Sequence, residues 1–197
     1  MSLLAIPAAR GYDGRSAMLK RIALFVVLLL AAGAAAQEGI RNFLRVNENI
    51  CTGGQPTLAQ LAELKAGGVR AVLNLRRPTE KLTPRPGAEP APYDAAAEAA
   101  EAERLGLRYF NIPVDSEAPT DAQVDEFLKI LADPQNRPLF IHCASGSRVG
   151  AFWMIRRVLA DEWSLEEAEA EARRIGLSNE KTRAFARDYL ARRRQQQ

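Results

Sequence analysis

The sequence predicts an α/β domain in which a central, mainly parallel sheet of about four or five strands is flanked by helices. Three observations predict it. Short apolar, β-branched runs at residues 69–75, 107–114 and 139–142 alternate with helix-period segments, the pattern of parallel strands joined by crossover helices. Arg76-Arg77, Asp115 and His142-Cys143 each stand at the carboxyl end of one of these runs, where open α/β sheets hold their ligands. Finally, His142-Cys143-Ala144-Ser145-Gly146-Ser147-Arg148 lies between the last apolar run and the apolar stretch 149–159, so the chemistry-bearing loop joins the last strand to the helix after it.

In chain order, residues 43–51 read as an opening strand or ribbon, ended by Thr52-Gly53-Gly54. Thr57 is placed to cap a helix over Leu58, Leu61 and Leu64, which Gly67-Gly68 stops. Residues 69–75 are a buried strand, whereas 78–92 carry five prolines and exclude regular structure, reading as a surface excursion. Asp94 opens an alanine- and glutamate-rich helix to Leu105, and 107–114 is the third strand. Thr120 and Gln123 form a capping-box pattern before Val124, Phe127, Leu128 and Leu131, and Asp133-Pro134 ends that helix. After the fourth strand, Ser164 with Glu167 caps one further helix and Asn179 the last.

The first 36 residues read as a leader. Lys20-Arg21 form a positive head, residues 22–36 an apolar core, and Ala34-Ala35-Ala36 a small-residue cleavage site. That is a secretory signal peptide, with an uncleaved anchor as the alternative; residues 37–197 form one domain. Export to a bacterial periplasm or the medium is therefore expected. Cleavage after Ala36 removes Arg10, Arg15, Lys20, Arg21 and Asp13, leaving 23 basic and 23 acidic groups of the original 27 and 24. The remaining domain is near neutral, which removes the electrostatic basis for nucleic-acid binding. Membrane contact is expected only if the leader stays uncleaved.

Two cysteines, Cys51 and Cys143, cannot build a disulfide scaffold, and a single histidine excludes histidine-rich metal sites. No metal and no cofactor are expected. A loop that opens a helix aims backbone N–H groups inward and adds the positive end of the helix dipole. That field favours a thiolate, so Cys143 is the expected nucleophile. Arg148 offers a planar fork of donors to a tetrahedral oxyanion. The amides of Ala144, Ser145, Gly146 and Ser147 complete the cradle. Arg76 is either an anion contact at the cleft edge or a strand-end salt bridge. His142, the last strand residue, faces away from the loop and is expected to orient it through hydrogen bonds. Cys51 is either a redox partner that locks Cys143 reversibly or an inert strand-end thiol.

The pattern His-Cys, glycine-containing loop, arginine, helix resembles the cysteine-dependent protein tyrosine and dual-specificity phosphatases. More narrowly, Thr52-Gly53-Gly54-Gln55-Pro56-Thr57, Ala71-Val72-Leu73-Asn74-Leu75-Arg76, Ile112-Pro113-Val114 and His142 to Gly150 are similar, in order, to bacterial beta-lactamase hydrolase-like proteins. The resemblance implies a phosphatase-like fold and hydrolysis of phosphomonoesters through a phosphocysteine. It also implies an acid that protonates the leaving oxygen. Asp115 is the first candidate, with Glu117 and Asp121 as alternatives. The partner is then a phosphorylated substrate or another small oxyanion. Two departures stand out. Four residues, not five, separate Cys143 from Arg148, as in rhodanese-type sulfurtransferases, so a persulfide carrier is an alternative. Val149 stands where phosphatases place a hydroxyl, which Ser145 or Ser147 would have to supply. A non-catalytic anion-binding or redox-sensing module is a third reading.

Overall fold

The computed structural model describes residues 39–81 and 93–195. The expected signal peptide and most of the proline-rich stretch lie outside these residues. The sheet has five strands, β1 (Leu44–Arg45), β2 (Ile50–Gly53), β3 (Ala71–Asn74), β4 (Arg108–Asn111) and β5 (Leu139–His142), in the order β1-β2-β5-β3-β4. All pairs are parallel except β1 with β2, as expected for a mainly parallel sheet. The opening ribbon is a hairpin rather than one strand. Asn47 breaks it by accepting the Asn49 N–H on its side-chain oxygen at 2.9 Å, an Asx-type turn, so Thr52 and Gly53 belong to β2.

Among the described residues there are six α-helices, α1 (Leu58–Ala66), α2 (Ala95–Arg104), α3 (Asp121–Ala132), α4 (Ser147–Ala160), α5 (Leu165–Ile175) and α6 (Glu180–Gln195), and all but α4 begin at an expected side-chain cap. Thr57 with Gln60, Thr120 with Gln123 and Ser164 with Glu167 form full capping boxes. Asp94 caps α2, and the Asn179 side-chain oxygen accepts the Thr182 N–H at 2.9 Å at the start of α6. Each substitutes a side-chain acceptor for the missing intrahelical one, worth about 1 kcal/mol.

The two-residue period of the strands sorts the core into two layers. Cys51, Val72 and Phe140 face Leu61 and Leu64 of α1 and Ala102 of α2. Ile50, Ala71, Leu73, Leu139 and Ile141 face Val124 and Phe127 of α3, and Phe152 and Ile155 of α4. Phe127 meets Phe152 edge-on at 5.5 Å; a fully buried ring of this kind contributes about 1.5–3 kcal/mol. Residues 147–155 of α4 are all buried, because α5 and α6 pack over it. The strand ends are in register as a row, Gly53 beside His142, His142 beside Asn74 and Asn74 beside Asn111. Every loop that follows these strands therefore leaves from one edge.

Candidate active site

The loop after β5 is held by its outward face. Its carbonyls point away from the centre: Ala144 O accepts the Gln55 N–H at 3.4 Å, Ser145 O accepts Asn42 Nδ2 at 2.8 Å, and Gly146 O accepts the Gly150 N–H at 2.8 Å. At the start of α4 the amides of Ser147, Arg148 and Val149 precede the first intrahelical acceptor, as in any helix. The Gly146 N–H donates to Cys143 Sγ at 3.1 Å. That contact requires glycine, since Gly146 sits at φ +91° and a Cβ there would lie 2.1 Å from Ile175 O. The result is a thiol that accepts the Gly146 amide at the positive end of a helix.

Arg148 closes the ring. Its Nη1 donates to Val114 O at 2.9 Å and to Glu80 Oε1, and its Nη2 donates to Glu80 Oε2 at 2.9 Å. Burial works against its charge, but Glu80 and the Cys143 sulfur hold the guanidinium pKa above the ordinary arginine value. Burial likewise works to raise the Glu80 carboxyl, and Arg148, the Arg77 amide and Arg76 outweigh it, keeping it below the usual carboxylate range.

Arg76 is not placed as an open anion contact. It is fully buried, with Nε on Glu80 at 3.1 Å, Nη1 on Gln55 Oε1 at 2.9 Å, Nη2 on Lys81 O at 3.1 Å and its guanidinium 3.7 Å from the Tyr93 ring centre. Every donor group of the fork is spent on the protein, so it reaches the site through Glu80. Ser147 is similarly committed, its Oγ accepting the Ser178 and Asn179 N–H groups at 3.1 and 3.0 Å. Ser145 keeps a partly exposed side chain.

The three candidate acids separate clearly. Asp115 follows Val114, whose carbonyl touches Arg148, and so stands at the mouth; its carboxylate pairs with Arg77 at 2.6 Å and accepts the Glu117 N–H at 2.9 Å. Glu117 is exposed and paired with Lys181, whose hydrogen bond keeps it below the usual carboxylate range. Asp121 sits in the first turn of α3 against Arg192 of α6, away from the loop.

His142 faces the α1/α2 side, as expected of the last strand residue, and its Nε2 lies 2.8 Å from Glu98 Oε1. Cys51 is not brought to Cys143. Its register partner is Phe140, and the two thiols belong to opposite layers of the core. Both are free, and Cys51 Sγ points at Leu139 O at 3.8 Å. Three strand positions plus one strand spacing exceed the roughly 7 Å that a disulfide bridges. Among the described residues no group of three His, Cys, Asp or Glu side chains is placed to hold a metal.

Glu80 and Glu98 carry the site and went unread in the sequence. Glu80 is hidden in a proline-rich stretch, where only its spacing of four from Arg76 marks it. Glu98 lies among the alanines and glutamates of α2, four residues before the buried Ala102.

Known proteins are similar to this chain in sequence or in fold. The beta-lactamase hydrolase-like protein of Xylella fastidiosa is 30% identical over 125 residues, 64% of this chain and 27% of that protein. The chain thus spans about a quarter of the length of the curated relatives it matches. Among solved structures, a DUF442 protein of Shewanella putrefaciens superposes with TM-score 0.64 at 21% identity, covering 80% of this chain and 97% of that one. The core catalytic domain of the PP-IP phosphatase SIW14 from S. cerevisiae, in complex with citrate, superposes with TM-score 0.59 at 21% identity over 75% and 85%. These likenesses bear out the phosphatase-like fold. Residues 34–189 match the family described as DSP-PTPase phosphatase fused to NAD+ kinase, and the chain belongs to that family.

Proposed function

We propose that the protein is an exported, cysteine-dependent hydrolase of phosphomonoesters of the protein tyrosine or dual-specificity type. Family membership and the names of the relatives support a phosphatase; the lysine-arginine head and apolar run of residues 20–36 support export. The observation that carries the chemistry is the Gly146 N–H on Cys143 Sγ, inside a loop whose Ala144, Ser145 and Gly146 carbonyls turn outward and whose arginine is braced by Glu80. A phosphoryl group above Sγ would place its oxygens among the amides and Arg148, where charge must be balanced during transfer. The citrate bound to SIW14 supports a site of this kind that takes small oxyanions.

In the first step Cys143 Sγ attacks phosphorus, the ester P–O bond breaks, and Asp115 gives its proton to the leaving oxygen. In the second, Asp115 takes a proton from water, the hydroxide attacks phosphorus, the P–S bond breaks, and inorganic phosphate and the thiolate are restored. Asp115 is preferred on position alone, because its chain neighbour Val114 touches Arg148; all three carboxylates are ion-paired, Asp115 with Arg77, Glu117 with Lys181 and Asp121 with Arg192.

The test sets the purified protein against an aryl phosphate and against thiosulfate with cyanide, with Cys143→Ser as control. Phosphate release abolished by the substitution is the expected result. Thiocyanate release without phosphate release would replace this reading with the sulfurtransferase one, and neither product would favour a binding module. Export is tested by cell fractionation and by N-terminal sequencing, with Gln37 the expected first residue.

A further inference from the structure

A buried carboxylate begins a line of side chains that joins the two ends of the active loop. Glu98 is 2% exposed. Its Oε1 accepts His142 Nε2 at 2.8 Å, Tyr109 OH at 3.1 Å and Asn74 Nδ2 at 3.3 Å, and its Oε2 accepts Gln55 Nε2. Four donors thus meet this one carboxylate, three on Oε1 and one on Oε2. Burial works to raise its pKa, but His142, Gln55 and Tyr109 outweigh this and hold it below the usual range. Because a carboxylate only accepts, the imidazole nitrogen facing it carries the hydrogen, and the ring that immediately precedes Cys143 is fixed.

On the other side the line runs through Gln55. Its Oε1 accepts Arg76 Nη1 at 2.9 Å, Arg76 Nε donates to Glu80, and Glu80 grips Arg148. The Gln55 backbone N–H also holds Ala144 O. Between an acceptor-only Glu98 and a donor-only Arg76, the Gln55 amide has one orientation, nitrogen to Glu98 and oxygen to Arg76. The line from His142 through Glu98, Gln55, Arg76 and Glu80 to Arg148 is therefore continuous, with donors converging on the two carboxylates, Glu98 and Glu80, and diverging from Arg76.

We infer that Glu98 and Gln55 are positioning residues that set the Cys143 thiol against the Arg148 guanidinium, and that they act through the hydrogen-bond polarity of their contact. The inference rests on the phosphatase reading above. It predicts a reciprocal exchange. In Gln55→Glu two carboxylates meet; in Glu98→Gln two amide nitrogens meet once the new oxygen is spent on His142 and Tyr109. In the double exchange Gln55→Glu/Glu98→Gln the contacts between the two side chains and to Arg76 and His142 are again donor to acceptor and the net charge is unchanged; only the Gln55 Nε2 donation to Pro56 O at 3.1 Å is lost.

The experiment is a double-mutant cycle on the full protein. It reads kcat and KM on an aryl phosphate, thermal unfolding, and the concentration of vanadate that protects Cys143 from iodoacetamide. Each single variant is expected to lose kcat on the order of 10²-fold, as small misplacements of reacting groups do, with KM changed less than about twofold. Each is expected to need correspondingly more vanadate for protection. The double variant is expected to recover at least about tenfold of that loss, or to fold and bind vanadate where a single variant does not fold. Folded single variants with unchanged kcat and vanadate protection would overturn the inference. So would a double variant no better than the worse single one, which would assign Glu98 a role through its charge on His142. A wild-type protein that binds vanadate but hydrolyses no phosphate ester would overturn the phosphatase reading alone, since vanadate protection still scores the exchange.

Discussion

Glu80 lays both carboxylate oxygens on the Arg148 guanidinium, while its Oε2 also accepts Arg76 Nε at 3.1 Å. One carboxylate thus stands between a buried arginine that never meets solvent and the arginine of the anion cradle. A lone guanidinium on a helix would sample several rotamers; Glu80 and Val114 O leave Arg148 one. Replacing the carboxylate by an amide turns part of this contact into donor against donor. Glu80→Gln is expected to lower kcat/KM at least about tenfold, the equivalent of one charge-assisted hydrogen bond at about 1.5 kcal/mol. Steady-state kinetics at neutral pH check this, and an unchanged kcat/KM would refute it.

The same carboxylate sets an acid limit. Its folded pKa lies below the ordinary value of 4.5, so the unfolded chain takes up its proton first as pH falls. Its contribution to stability is therefore complete above about 4.5 and is lost as pH drops through the lower, folded value. Glu98, lowered in the same direction, acts in the same window. Thermal unfolding should hold level from neutral pH to about 5 on this account and weaken below, and Glu80→Gln should flatten that acid limb. An acid limb unaltered in the variant would show that Glu80 does not contribute to it.

Asp115 stands at the mouth, paired with Arg77. As the proposed proton donor it would matter in proportion to how poor the leaving group is. Asp115→Asn is expected to lose about 10²-fold or more in kcat on an alkyl phosphate, and much less on p-nitrophenyl phosphate, whose phenolate leaves unaided. Equal losses on both substrates would take the acid role away from Asp115.

At Gly146 a methyl group meets both a left-handed backbone and the Ile175 carbonyl. Gly146→Ala is expected to cost more than about 1–2 kcal/mol, the strain of the backbone region alone, read as a lower denaturant midpoint. Cys143 reactivity should fall with it, because the N–H that faces Sγ moves. A midpoint equal to the wild type would show that the loop tolerates the added carbon.

Cys51 is buried in the layer opposite Cys143, and burial pushes its thiol pKa up to about 12. It is expected to resist alkylation until the protein unfolds, and peptide mapping after mild oxidation should find no Cys51–Cys143 bridge. Cys51→Ala should keep phosphate release at the wild-type level. A recovered bridge would mean that the strands separate further than this fold allows.

Much of the site was legible because its signals are local. The cysteine, the turn glycine and the arginine fall within six consecutive residues, and the caps of α1, α3 and α5 are each written in four. Arg76 was ambiguous because a strand-end arginine suits either a ligand or a carboxylate, and the choice fell to Glu80. Glu98 was unreadable because its partners Gln55, Tyr109 and His142 come from three separate segments.

The sequence by itself determined the alternation of strands and helices, the edge on which the loops gather, and Cys143 and Arg148 as the pair that defines the loop. Those follow from hydrophobic period, capping chemistry and short-range spacing. Only the tertiary structure decided that Cys51 lies across the sheet from Cys143, that Arg76 serves Glu80 instead of an open anion site, and that Glu98 ties His142 to the arginine line. Each of these depends on strand order and on which layer a side chain enters, and both are set by packing between segments far apart in the chain.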